Sequence, residues 1–131
     1  MAPSQIAARE IDAAAAINVS DAYVRETPPT KNVTAAFMQL RNDSSLLRKL
    51  VRVESELTER VELHKTSHRN GMMSMQQVDE IAIYAHNQEQ LKPGGYHIML
   101  FDLQEPLIQG NKITLRLVFD DNSTTEIDVP V

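Results

Sequence analysis

At 131 residues the chain is long enough to bury one hydrophobic core and too short for two ordinary domains. A hydrophobic share of 42% beside 24% charged residues excludes a disordered or collagen-like chain, and a net charge of −5 without a basic stripe excludes nucleic acid as a partner. The lack of cysteine removes disulfides, zinc–thiolate sites, iron–sulfur clusters and thiol nucleophiles, and leaves six Met and four His as the soft and borderline metal ligands.

The start, Met1-Ala2-Pro3-Ser4-Gln5, lacks the basic head and apolar middle of a signal peptide, so the chain reads as never exported or as already freed of its leader. Residues 1–16 carry no turn signal and are assigned only as an N-terminal tail or short helix. The alanine run at 13–16 is far shorter than the roughly 18 apolar residues of a membrane span, and no membrane insertion is expected. From Ile17 the pattern changes to short runs rich in Val, Ile, Leu, Phe and Tyr, punctuated by Thr27-Pro28-Pro29, Arg41-Asn42-Asp43, Asn70-Gly71, Pro93-Gly94-Gly95 and Asp120-Asp121-Asn122. Strands are predicted over 17–25, 33–40, 47–53, 60–66, 72–78, 80–84, 95–103, 112–119 and 124–129. The segment 46–57 has helix-forming Leu and Glu, but the alternation of Leu50, Arg52 and Glu54 against Val51 and Val53 favours a strand. Residues 17–131 are therefore expected to form a single all-β domain, a sandwich or barrel.

The last clear hairpins carry the chemistry. On a strand, residues two apart share a face, so His97 and Met99 project together, about 7 Å apart at the backbone, while Tyr96, Ile98 and Leu100 form the core face. Asn70-Gly71 signals a two-residue type I′ turn. If Arg69 faces Met72, then Thr66 faces Met75 and His64 faces Gln77, which makes His64 and Met75 diagonal neighbours, with Val61 and Leu63 on the opposite, core side. Both pairs thus lie on faces turned away from the apolar side chains, where an accessible ion site belongs. In the same register His68 faces Met73, a possible secondary contact. His86 falls in the polar stretch 84–90 and reads as solvated. Asp120-Asp121-Asn122 lacks the further oxygen ligands and the closing Glu of a calcium loop and reads as a hairpin turn.

His64, ten residues, Met75, twenty-one residues, His97, one residue and Met99 form a specific string. It resembles the copper-binding signature of the PCu(A)C family of periplasmic copper chaperones. The segments 22–29, 35–42, Val61-Glu62-Leu63-His64 and Leu91-Lys92-Pro93-Gly94-Gly95-Tyr96-His97-Ile98-Met99-Leu100 are also similar to family segments, so that the likeness spans roughly residues 18–130. The resemblance implies a cupredoxin-like Greek-key β-sandwich or barrel, a Cu(I) site made by His64, Met75, His97 and Met99, and a periplasmic copper chaperone. It implies delivery to the binuclear copper centre of cytochrome c oxidase subunit II, directly or through a thioredoxin-like copper-delivery protein. A monomer is expected. Family members often carry a Met within two residues of the first His, where this chain has Lys65 and Thr66, and some end in a His- and Met-rich tail, where this chain ends Asp128-Val129-Pro130-Val131. One principal site follows.

Rival readings fare worse. No nucleophile with a base, carboxylate pair or phosphate loop appears at recognisable spacing, so no enzyme is expected. Blue-copper electron transfer needs a Cys thiolate that is absent. Copper storage is the alternative the ligand set allows, and a metal-free interaction module is a β-sandwich's other possibility, although it leaves the four-residue string unexplained. Two thioethers and two imidazoles suit a carrier outside the cytosol, because Met stays soft toward Cu(I) without forming disulfides. Apolar Met73 and Phe101 are expected to ring the site.

Overall fold

Alternating apolar and polar residues govern most of the chain, and the computed structural model, which describes residues 11–131, resolves them into one helical turn and ten strands. The turn, α1 (Ala13–Ala16), is capped by Asp12, whose side chain accepts from the Ala15 amide, and by Asp121, which accepts from the Ala13 amide at 2.8 Å. Ala13 and Ala16 are buried, so the folded unit reaches back beyond the boundary expected at Ile17. The expectation of a tail over residues 1–10 lies outside the described residues.

The strands are β1 (Ile17–Val24), β2 (Thr34–Asn42), β3 (Arg48–Glu54), β4 (Val61–Arg69), β5 (Met72–Val78), β6 (Ile81–Ile83), β7 (Gln88–Leu91), β8 (Tyr96–Leu100), β9 (Lys112–Phe119) and β10 (Thr124–Pro130). They build two antiparallel sheets. One runs β1-β2-β8-β4-β5, with β7 also paired to β2, and the other runs β10-β9-β3-β6. The chain crosses repeatedly from one sheet to the other, as a cupredoxin-like Greek-key sandwich requires. Between the sheets lie Met38, Leu40, Leu50, Ile81, Ile98, Leu100, Leu115, Leu117 and Phe119, all essentially without solvent contact or nearly so. Each such side chain contributes roughly 1.5–3 kcal/mol by leaving water.

Two elements differ from the sequence expectation. β7 was not predicted, because Gln88-Glu89-Gln90 shows no apolar alternation; main-chain pairing to Met38–Arg41 of β2 holds it instead. Strict alternation would also put Leu50 and Val53 of β3 on opposite faces, yet both are buried. A register shift against β9 between Leu50 and Arg52 leaves Val51 as the extra residue of a bulge and turns both apolar side chains inward. The 120–122 segment is a hairpin turn as expected: the Asn122 amide donates to the Phe119 carbonyl at 2.9 Å, and Asn122 takes a left-handed φ of 68°.

Candidate metal centre

The β4–β5 hairpin closes through Asn70 and Gly71, with φ of 53° and 78°, the two left-handed residues of a type I′ turn. Its register sets Arg69 opposite Met72, His68 opposite Met73, Thr66 opposite Met75 and His64 opposite Gln77, the pairing expected from the sequence. On its other side β4 pairs with β8, and there His64 stands directly opposite His97, and Glu62 opposite Met99. Leu63, Ile98 and Leu100 point into the core, which leaves His64, His97, Met99 and Met75 on the outer face of the same sheet.

The two imidazole centroids are 5.8 Å apart. His97, Met99 and Met75 line an apolar recess of about 390 Å³ together with Met73, Phe37 and Thr66, under the loop that carries Arg25, Glu26 and Pro28. His64 flanks His97 beside it. Accessibility is uneven: Met75 is 56% exposed, but His97 is only 4% exposed, because Phe37 packs on it at 6.3 Å and Tyr23 and Arg25 in turn cover Phe37. The site is thus a face of the sheet with His97 recessed, His64 and Met99 half-buried and Met75 outward.

Hydrogen bonds fix which ring nitrogens are free. An ionised carboxylate and a carbonyl can only accept, so His64 Nε2–H donates to Glu62 Oε1 at 2.9 Å, and His97 Nδ1–H donates to the Gly95 carbonyl at 3.0 Å. The lone pairs then reside on His64 Nδ1 and His97 Nε2. His64 Nδ1 is buried without a hydrogen-bond partner, the kind of orphaned acceptor that a bound cation would satisfy. Carboxylate and carbonyl partners on the far nitrogen are the usual support of a metal-binding histidine. Burial holds the His97 pKa below the ordinary imidazole value, the bond to Gly95 opposing that effect, and so the neutral, ligand-competent ring is favoured. The hydrogen bond from His64 and the nearby Arg60 guanidinium keep the Glu62 carboxyl below its ordinary value, against its desolvation.

Phe101, expected as an exposed rim residue, packs on His64 at 5.9 Å, with the Arg60 guanidinium over its other side at 4.1 Å. The Arg60 carbonyl and the Thr58 hydroxyl hold the Phe101 backbone, so this ring orients the histidine. Met73 is 65% exposed at the recess. His68 is exposed opposite it, and His86 is exposed in a turn away from the site, as expected. Glu62, Arg60 and Phe37 were not singled out from the sequence; the position of Glu62, two residues before His64 on one strand face, was the available signal.

Among the described residues no group of three or more His, Cys, Asp or Glu gathers to hold a metal ion; the soft donors that share this face are two imidazoles and the thioethers beside them. Two neutral imidazoles with two thioethers suit a soft monovalent cation and offer little to a hard one. A larger groove of about 810 Å³ near β3 and β9 has no soft donor, and its Arg52, Arg116, Glu54 and Glu126 side chains pair with one another.

The family model described as "Putative lipoprotein LpqE-like" matches residues 17–131. The chain is similar to "Putative lipoprotein Lxx21020" of Leifsonia xyli, with 37% identity over 116 residues, 88% of this chain and 69% of that protein. It is also similar to the solution structure of CuI-DR1885 from Deinococcus radiodurans, at 31% identity and a TM-score of 0.68 over 86% of this chain and 77% of that one. The fold matches the copper-bound PCuAC domain from PmoF2 with a TM-score of 0.74 at 21% identity, over 88% and 92% of the two chains.

Proposed function

The chain belongs to the LpqE-like, PCuAC family, and from that premise we propose that it carries one copper(I) ion on His64, Met75, His97 and Met99 and hands it to an acceptor protein. The observation that carries this reading is the buried, unpartnered Nδ1 of His64, set beside His97 and a thioether-lined recess. The copper(I) bound by DR1885 supports the choice of ion. The ion is cargo. In this reading His64 Nδ1 and His97 Nε2 supply nitrogen and Met99 and Met75 supply sulfur, Met75 being the donor most open to solvent. Neutral donors bind a cation less avidly than thiolates, so release to a thiolate-bearing centre runs downhill. A centre of that kind, such as the copper site of cytochrome c oxidase subunit II or a thioredoxin-like delivery protein, is the acceptor the family resemblance supports. The lipoprotein descriptions of the relatives support a location in the periplasm.

Competition with a copper(I) chelator tests the ligand set. His97→Ala and Met99→Ala should each lower affinity at least on the order of 100-fold, the upper end of what even supporting residues cost, whereas His86→Ala should leave it unchanged. Equal affinity in all three variants and the parent would refute the site. Mixing the loaded protein with a reduced dithiol acceptor then separates carrier from store: the transfer rate should rise with acceptor concentration, and a rate equal to spontaneous copper loss at every concentration would establish sequestration.

A further inference from the structure

On its outer face the β4–β5 hairpin carries two more soft donors than the centre uses, His68 and Met73. In a two-residue hairpin the pair flanking the turn, Arg69 and Met72, is the hydrogen-bonded one, so the pairs His68–Met73, Thr66–Met75 and His64–Gln77 are non-hydrogen-bonded, with side chains at closest approach. All three lie on the outer face. Met75 is the diagonal neighbour of His64 on one side and of His68 on the other, so its thioether is common to two donor groups. Methionine ordinarily fills cores, yet Met73 and Met75 are 65% and 56% exposed, and packing gives no reason for them to stand there. His68 leans toward the recess: a Cβ added to Gly94, whose φ of +87° is left-handed, would come within 3.9 Å of His68 Nε2, and Gly94 itself lines the recess with Met73, Met75 and Met99.

We propose that His68 and Met73, sharing Met75 with the main centre, form a second, weaker copper(I) station at the hairpin tip, through which the ion passes between the recessed His64–His97 pair and whatever meets the protein there; this rests on the copper reading above. The station is weaker because its imidazole is exposed and, among the described residues, has neither the carboxylate nor the carbonyl that holds the other two rings. Its place suits a hand-off, since an ion moving outward exchanges His64 for His68 while Met75 stays bound.

Anaerobic titration of the full chain with copper(I), followed by NMR of methyl-labelled Met and nitrogen-labelled His, tests it. The first equivalent should move Met99, Met75 and His97. Beyond one equivalent Met73 and His68 should move together, at a free copper concentration roughly 10–100-fold higher, the range lost when outer support is missing. Met72, 74% exposed on the opposite face of the hairpin, should move less and serves as the control for unspecific thioether binding. His68→Ala should abolish the second stage and keep the first. Still signals from Met73 and His68, or a Met72 shift equal to that of Met73, would overturn the station. Silence of Met99 and His97 at the first equivalent would overturn the main centre instead, and with it the station as a relay from that centre.

Discussion

Glu62 decides which nitrogen of His64 is free, by accepting from the other at 2.9 Å. Glu62→Ala should therefore weaken copper(I) binding roughly 10–100-fold with the fold intact, and Glu62→Gln, whose amide oxygen still accepts, should recover most of the loss. Chelator competition on both variants checks this; equal weakening by Ala and Gln would point to charge rather than orientation. His97 adds a pH dependence of its own. Its pKa is depressed in the folded state by burial, so the unfolded chain binds the proton more readily, and stability must fall as pH drops below the free-imidazole value of about 6.5. Urea midpoints of the metal-free protein should be level above about pH 7 and lower at pH 5.5, and His97→Asn should reduce that difference. A midpoint that rises on acidification would contradict the assignment. That His64, Met75, His97 and Met99 share the outer face was legible in the sequence, because alternation and the hairpin register fix the face of each. The tautomer of each ring was not, since it depends on Glu62 and the Gly95 carbonyl, whose roles emerge only once β4 and β8 pair.

At the scale of elements, the β4–β5 hairpin was the most legible part of the chain, because a two-residue turn leaves no freedom of register and a slip of β5 by one residue would send Met75 to the opposite face from His64. Gly71, at φ +78° with open space around its Cα, is the test of that dependence. Gly71→Val meets no clash but forces a branched side chain into the left-handed region, which costs about 1–2 kcal/mol. Urea unfolding should show that loss, and copper affinity should drop as Met75 and His64 lose their fixed register. Undiminished affinity would mean that the hairpin does not set the site. The bulge in β3 and the strand β7 were illegible for opposite reasons. Val51 is displaced by what Phe119 and Val118 of β9 demand, about 67 residues along the chain, and β7 is held by backbone pairing along polar Gln88–Gln90, with Leu91 reaching the core at its end.

For the whole molecule, the division of labour runs between the two sides of one sheet. Leu63, Ile98 and Leu100 close the sandwich on the inner side, and the donor atoms stand on the outer side, so that no part of the core is built from the ion, unlike a zinc finger. The sandwich class was legible from strand spacing and turn residues. What covers the site was not: Tyr23, Phe37 and the loop through Pro28 come from the opposite end of the chain from His97 and make that imidazole far less accessible than an outer strand face suggests. The most direct test of the account is X-ray absorption at the copper edge of the protein loaded with one equivalent of copper(I). Two sulfur and two nitrogen neighbours are expected, with one sulfur lost in Met99→Ala and one nitrogen lost in His97→Ala. A shell of nitrogen and oxygen alone, or one that neither substitution alters, would contradict it.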